Sequence, residues 1–159
     1  MKILAIDPGV ERVGIAVLEK IGGVREALVY SDCFKTSAKL PHHERLVLIG
    51  DEISRVIKKY KPSCLAIEKL YFENNQKTVM SVAEARGVVV YECAQNELGI
   101  FEYTPMQIKL AVAGHGRASK NDVHNMVEKL IDLGFKKMID DEVDAVAIGL
   151  TAVAIEKLR

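Results

Sequence analysis

Two runs in this chain, Ile3-Leu4-Ala5-Ile6-Asp7 and Cys64-Leu65-Ala66-Ile67-Glu68, are apolar throughout until they end on a carboxylate. An unbroken apolar run of this length, without alternation, predicts a strand buried on both faces, so each belongs inside a covered sheet. Charge at the end of a buried strand is costly unless a cation or water compensates it. A further acidic stretch, Asp141-Glu142-Val143-Asp144, opens a late helix. Neighbouring strands would hold their ends roughly 5–10 Å apart. A helix docked beside them would then gather Asp7, Glu68, Asp141 and Asp144 into one cluster. Hard oxygen ligands so arranged suit a divalent ion such as Mg²⁺ or Mn²⁺.

The rest of the chain supplies the frame. Ile3–Asp7, Val13–Leu18 and Val24–Phe34 are separated by a Pro8-Gly9 turn and a Gly22-Gly23 hairpin signal, which predicts an antiparallel meander. From Pro41 to Tyr60 the period becomes helical, with Leu46, Ile49, Ile53, Val56 and Ile57 on one face, and Pro62 stops it. Ser63–Glu68 is a strand, and Tyr71–Lys77 is a polar loop. Thr78–Asn96 is helical with Gly99 as its stop, and Ile100–Tyr103 is a short strand. Pro105–Ala113 is a helix, Gly114–Arg117 a loop, and Ser119 starts a helix with Asp122 at capping-box spacing. Asp141–Leu158 is a helix apolar on most sides, which suits packing on a sheet. The expected fold is therefore α/β: a mixed five-stranded sheet flanked by helices, in the order used by ribonuclease H-like proteins. With 159 residues and no repeat or linker, one domain over 1–159 is expected.

Composition excludes several alternatives. The formal net charge is zero, so nucleic acid would have to be held by a local patch rather than an overall basic field. No apolar run approaches the roughly 20 residues of a membrane span, and Met1-Lys2 leads into a strand-like run rather than a secretory apolar region. Cys33, Cys64 and Cys93 are odd in number and far apart, which suits reduced thiols in a cytoplasm rather than disulfides or a zinc site.

Each acid also has an ordinary explanation. Asp7 can open the Pro-Gly turn, Asp141 can cap a helix with Asp144 favoured in its first turn, and Glu68 can pair with a surface lysine. These explanations predict no relation between strand ends and helix start. Asp141 and Asp144, three apart, share a helix face. Asp140, four residues before Asp144, competes with Asp141 for that role, and Asp141 is preferred.

The segments "AIDPG", "AIEKLYF", "EARGV", "FEYTPMQIK", "GHGRASK" and "DEVDAVAIGL" lie in this order along nearly the whole chain. Together they resemble the RuvC family of Holliday-junction resolvases. The resemblance implies a homodimeric endonuclease that cuts two strands of like polarity across a four-way DNA junction, in recombination and repair. It implies Asp7, Glu68, Asp141 and Asp144 as catalytic carboxylates holding two Mg²⁺ ions per site, with Mn²⁺ able to substitute. It further implies a branch-migration partner of the RuvA and RuvB type. An aromatic after Glu68 is expected to stack on an unpaired base, with Tyr71 assigned outward and Phe72 inward. Lys109, His115, Arg117 and Lys120 form the expected DNA-binding group, and Lys109 and Lys120 match the family's catalysis-supporting lysines. Ala83, Ala85 and Gly87 fall in the region that supplies the family's dimer interface.

Departures from the family pattern are Glu84 for a common glutamine, His115 for a lysine and Ser119 for an aspartate. The competing expectations are a YqgF-type ribonuclease H-like nuclease acting on RNA and a non-catalytic junction-binding scaffold. Intact acids argue against the scaffold, since negative charge facing phosphate brings a pure binder nothing.

Overall fold

A computed structural model of the chain describes residues 1–21, 25–70, 76–131 and 137–156. The elements are β1 (Lys2–Asp7), β2 (Arg12–Ile21), β3 (Arg25–Lys35), α1 (His42–Tyr60), β4 (Cys64–Glu68), α2 (Gln76–Gln95), β5 (Gly99–Tyr103), α3 (Pro105–Ala113), α4 (Lys120–Leu130) and α5 (Asp140–Ile155). They build a five-stranded sheet in the order β3-β2-β1-β4-β5. β1 to β3 pair antiparallel, while β4 lies parallel to both β1 and β5, giving the expected mixed sheet.

Side chains alternate across a strand, so β1 and β4 feed two cores. Leu4, Ile6, Leu65 and Ile67 face α1 and α2, where Ile49, Ile53, Val56, Val89 and Cys93 meet them. Ile3, Ala5, Cys64 and Ala66 face the opposite side, against Val146, Ile148 and Ala152 of α5 and residues of α3 and α4. The small residues on this second face let α5 lie close to the sheet. Gly149 marks the nearest approach: a Cβ there would stand 2.3 Å from Leu18 and 3.1 Å from the Ala5 methyl.

Several boundaries differ from the sequence expectation. α2 begins at Gln76 and ends at Gln95, and Gly99 is the first residue of β5, paired with Cys64, rather than a helix stop. The stop falls at Glu97, whose positive φ of 61° turns the chain while Leu98 N–H returns to the Cys93 carbonyl. α5 starts at Asp140, with Ile139 at the capping position and no side-chain cap. Asp141 is therefore not a cap. The capping box of Ser119 and Asp122 is present, and Thr104 with Gln107 forms a second at the start of α3. The Gly22-Gly23 turn and Leu158 lie outside the described residues.

Candidate active site

Alternation sets the site. Asp7 follows Ile3 and Ala5 in parity, and Glu68 follows Cys64 and Ala66, so both acids leave the sheet on the α5 side. The parallel register pairs Ile3 with Cys64 and Ile6 with Ile67, which places Asp7 and Glu68 side by side one step further on. α5 comes in above them with its first turn. A Cβ on Gly14, the β2 partner of Asp7, would lie 2.0 Å from the Asp141 carbonyl oxygen and 3.1 Å from the Asp7 Cβ. The bare glycine therefore admits the helix start over the strand end. Glu142, buried beside it, accepts a hydrogen bond from Ser31 Oγ at 2.9 Å and ties the helix start to β3.

Electrostatics registers the convergence. Burial pushes the Asp7 carboxyl up to about 8, and Asp144, Glu68 and Asp141 add to the shift against the opposing charge of Lys120. Glu68 is raised by burial and by Asp144, with Lys109 and Lys120 opposing. Asp141 is turned inward, its side chain 18% exposed, whereas Asp140 is 75% exposed. Asp141 Oδ2 is buried without a hydrogen-bond partner among the described residues, 3.4 Å from Arg12 Nε.

Cations occupy the rest of the site. Lys120, the first residue of α4, donates to Asp144 Oδ2 at 2.8 Å and lies 3.8 Å from Asp140. Burial depresses Lys120, yet its hydrogen bond to Asp144 and the charges of Asp144, Asp140 and Asp7 prevail and raise it. One turn later, His124 Nε2 meets Asp144 Oδ1 at 2.8 Å, so a single helix holds both oxygens of that carboxylate. Lys109 and Lys120 line a cleft of about 210 Å³ with Glu68 and Asp144. His115 and Arg117 stand on the α3–α4 loop and do not line that cleft. Tyr71 and Phe72 lie outside the described residues.

Arg86, from the "EARGV" segment, donates from Nε to the Glu68 carbonyl at 3.1 Å and pairs with Glu102, fixing the end of β4. Arg12, Arg86 and His124 were not among the residues expected at the site. The signal for His124 was its spacing from Lys120, four residues along one helix face. Arg12 and Arg86 meet their partners across the fold and had none.

The donor set suits divalent metal. It is all carboxylate oxygen, one buried oxygen accepts no hydrogen bond among the described residues, and Asp7 is burdened by three neighbouring acids. As the side chains stand, no three His, Cys, Asp or Glu groups among the described residues close around a single point. Lys120 pairs with Asp144, which His124 also contacts, and Arg12 faces Asp141, so Lys120 and Arg12 meet part of the charge an ion would neutralise.

A mixed sheet of this order, with acids at the ends of β1 and β4 and the start of α5, has the ribonuclease H-like architecture. The model of the family "Crossover junction endodeoxyribonuclease RuvC" matches residues 3–152. The RuvC of Halothermothrix orenii is 43% identical over 150 residues, covering 94% of this chain and 90% of its own. That of Caldicellulosiruptor saccharolyticus is 37% identical over the same length and shares. The structure of Thermus thermophilus RuvC in complex with a Holliday junction substrate superposes with a TM-score of 0.90 at 30% identity, covering 97% of this chain and 93% of that one. The yeast mitochondrial resolvase Ydc2, at 10% identity and a TM-score of 0.68 over 94% of this chain and 76% of its own, shares the fold. The chain belongs to the RuvC family of crossover junction endodeoxyribonucleases. This match favours neither the YqgF-type nor the scaffold alternative.

Proposed function

We propose that Asp7, Glu68, Asp141 and Asp144 are the catalytic carboxylates of a Holliday-junction resolvase, and that they hold two Mg²⁺ ions, for which Mn²⁺ can substitute. The observation that carries this reading is the crowding of Asp7 by the other three acids at the point where β1, β4 and α5 meet. Divalent ions bound there supply an activated water and neutralise charge developing at the phosphorus and the leaving oxygen.

The residues of the chain do the remainder. Asp7, on the central strand, would hold the ions in its deprotonated form, with Glu68, Asp141 and Asp144 as the other ligands. Lys120 exchanges Asp144 for a DNA phosphate, and Lys109 steadies the strand within the same cleft. His115 and Arg117 meet the DNA backbone further out, on a loop whose glycines allow close approach. A ring at Tyr71 or Phe72 stacks on a base unpaired at the crossover.

Residues 1–159 act as one nuclease domain, two copies of which face the two symmetric strands. α2 presents a surface for that pairing. Met80 and Tyr91, 62% and 61% exposed, lie on one stripe with Gly87, where a Cβ would meet nothing within 4 Å. Ala85 is buried against the sheet and takes no part. No helix among the described residues is long and apolar enough to cross a membrane. The enzyme works in the cytoplasm with a branch-migration complex of the RuvA and RuvB type.

The test is a synthetic four-way junction incubated with and without Mg²⁺ beside a linear duplex of the same sequence. Paired nicks symmetric about the crossover, dependent on the metal and absent in Asp7→Asn, are expected. Binding without cutting in any divalent ion, or equal cutting of the linear duplex, contradicts the proposal.

A further inference from the structure

The acids do not sit at the edge of one cleft; they separate two. On one side Glu68 and Asp144 share a cleft with Lys109 and Lys120. On the other, Asp7 and Asp141 line a larger cleft of about 400 Å³, which also contains Arg12, His42, Arg45 and Ser81. Its walls are the β1–β2 loop, the start of α1 and the early turns of α2. The first cleft carries two acids and two lysines; the second carries three acids, Glu11 being the third, and two arginines.

Arg45 is the distinctive member. Its Nε donates to Thr36 Oγ1 at 2.9 Å, and that hydroxyl donates to the Val10 carbonyl at 2.6 Å, so one edge of the guanidinium braces the β1–β2 loop. Its Nη2 is buried and has no hydrogen-bond partner among the described residues. A buried donor left unmatched is costly, and bracing the loop needs only one of the five N–H groups. The carboxylates of the cleft, Asp7, Glu11 and Asp141, favour a cation there, yet Nη2 donates to none of them. The ligand that matches a planar fork with a second cation nearby is a phosphate. Arg12, 60% exposed and 3.4 Å from Asp141, is that second cation. His42 is engaged by Glu84 and closes the wall.

We propose that this cleft seats a backbone phosphate of the strand being cut, a neighbour of the scissile phosphate on the side away from Lys109 and Lys120, held by Arg45 and Arg12. The inference rests on the four acids being the catalytic centre. A strand crossing them is then gripped on both sides of the bond that breaks, which fixes its direction across the acids as well as its distance from them. The neutral net charge of the chain makes such paired local contacts the means of holding DNA.

The test is a methylphosphonate walk. Single neutral linkages are placed within three nucleotides either side of the cut position in a four-way junction, and binding is followed by fluorescence anisotropy in EDTA. Wild-type protein is expected to show two sensitive linkages flanking the cut, each weakening binding about fivefold or more. Arg45→Gln erases the penalty at one, Lys109→Gln at the other. Arg45→Gln also flattens the plot of log affinity against log salt by about one unit, as expected for one lost phosphate contact. Melting temperature verifies that Arg45→Gln is folded. Should it fail to fold, the wild-type walk still decides, because a single sensitive linkage contradicts the proposal. Arg45→Gln that keeps both penalties, or the wild-type salt slope, shows that the guanidinium serves the loop alone. If wild-type protein cuts junctions in Mg²⁺ while these results are negative, only this inference falls. If it cuts no junction, the reading beneath it falls.

Discussion

Asp7 pays for its position with a carboxyl held near 8, above the ordinary 3.8, because burial and three acids oppose its charge. The native state thus keeps a proton that the unfolded chain releases from about pH 4 upward. Its contribution to stability is full below the unfolded value and is lost as pH rises through the folded one. Without metal, the melting temperature should fall between pH 5 and pH 8.5. Asp7→Asn should remove most of that fall and melt at least about 3 °C higher at pH 8, while cutting nothing. An unchanged pH slope in Asp7→Asn would show that Asp7 does not carry the strain. His124 makes a second prediction. Because it grips Asp144 Oδ1 beside the more exposed Lys120, His124→Ala should raise the Mg²⁺ concentration for half-maximal cutting about tenfold. His124→Gln, which keeps an amide donor, should recover much of the loss. Equal Mg²⁺ requirements in wild type and His124→Ala would make the contact incidental.

At the scale of elements, the site depends on how closely the start of α5 approaches the end of β1. Gly14 sets that distance, so Gly14→Ala should lift the helix start and cost about 1–3 kcal/mol in urea unfolding, with activity lost beyond what stability explains. Stability and cutting both at wild-type levels would mean that the approach is not limiting. The strands themselves were legible in the sequence, since a strand buried on both faces has an unbroken apolar run. Their parity even places Asp7 and Glu68 on one face. The start of α2 was not legible, because Gln76 and Lys77 extend a polar stretch with no helical period. Nor was the capping of α5, where Asp141 resembles a cap by residue type but is turned inward beneath a helix that begins one residue earlier. Arg12 and Arg86 enter the site through contacts between distant segments, and no local pattern encodes those.

For the molecule as a whole, a neutral chain that handles DNA must concentrate its cations where the strand passes, and Lys109, Lys120, Arg12 and Arg45 surround the acids in that way. A two-fold assembly would place two such centres on one junction. The exposed stripe of Met80, Gly87 and Tyr91 on α2 predicts that wild-type protein sediments as a dimer and that Tyr91→Glu shifts it toward monomer. The monomeric form should then cut one strand of a junction without its symmetric partner. A wild-type monomer, or a Tyr91→Glu dimer, would move the interface elsewhere. The most direct test of the catalytic centre is anomalous diffraction from crystals grown with Mn²⁺. Two peaks are predicted, both within bonding distance of Asp7, one shared with Glu68 and one with the Asp141–Asp144 pair. Mn²⁺ bound away from Asp7, or an acid cluster left without metal at saturating concentration, would contradict it.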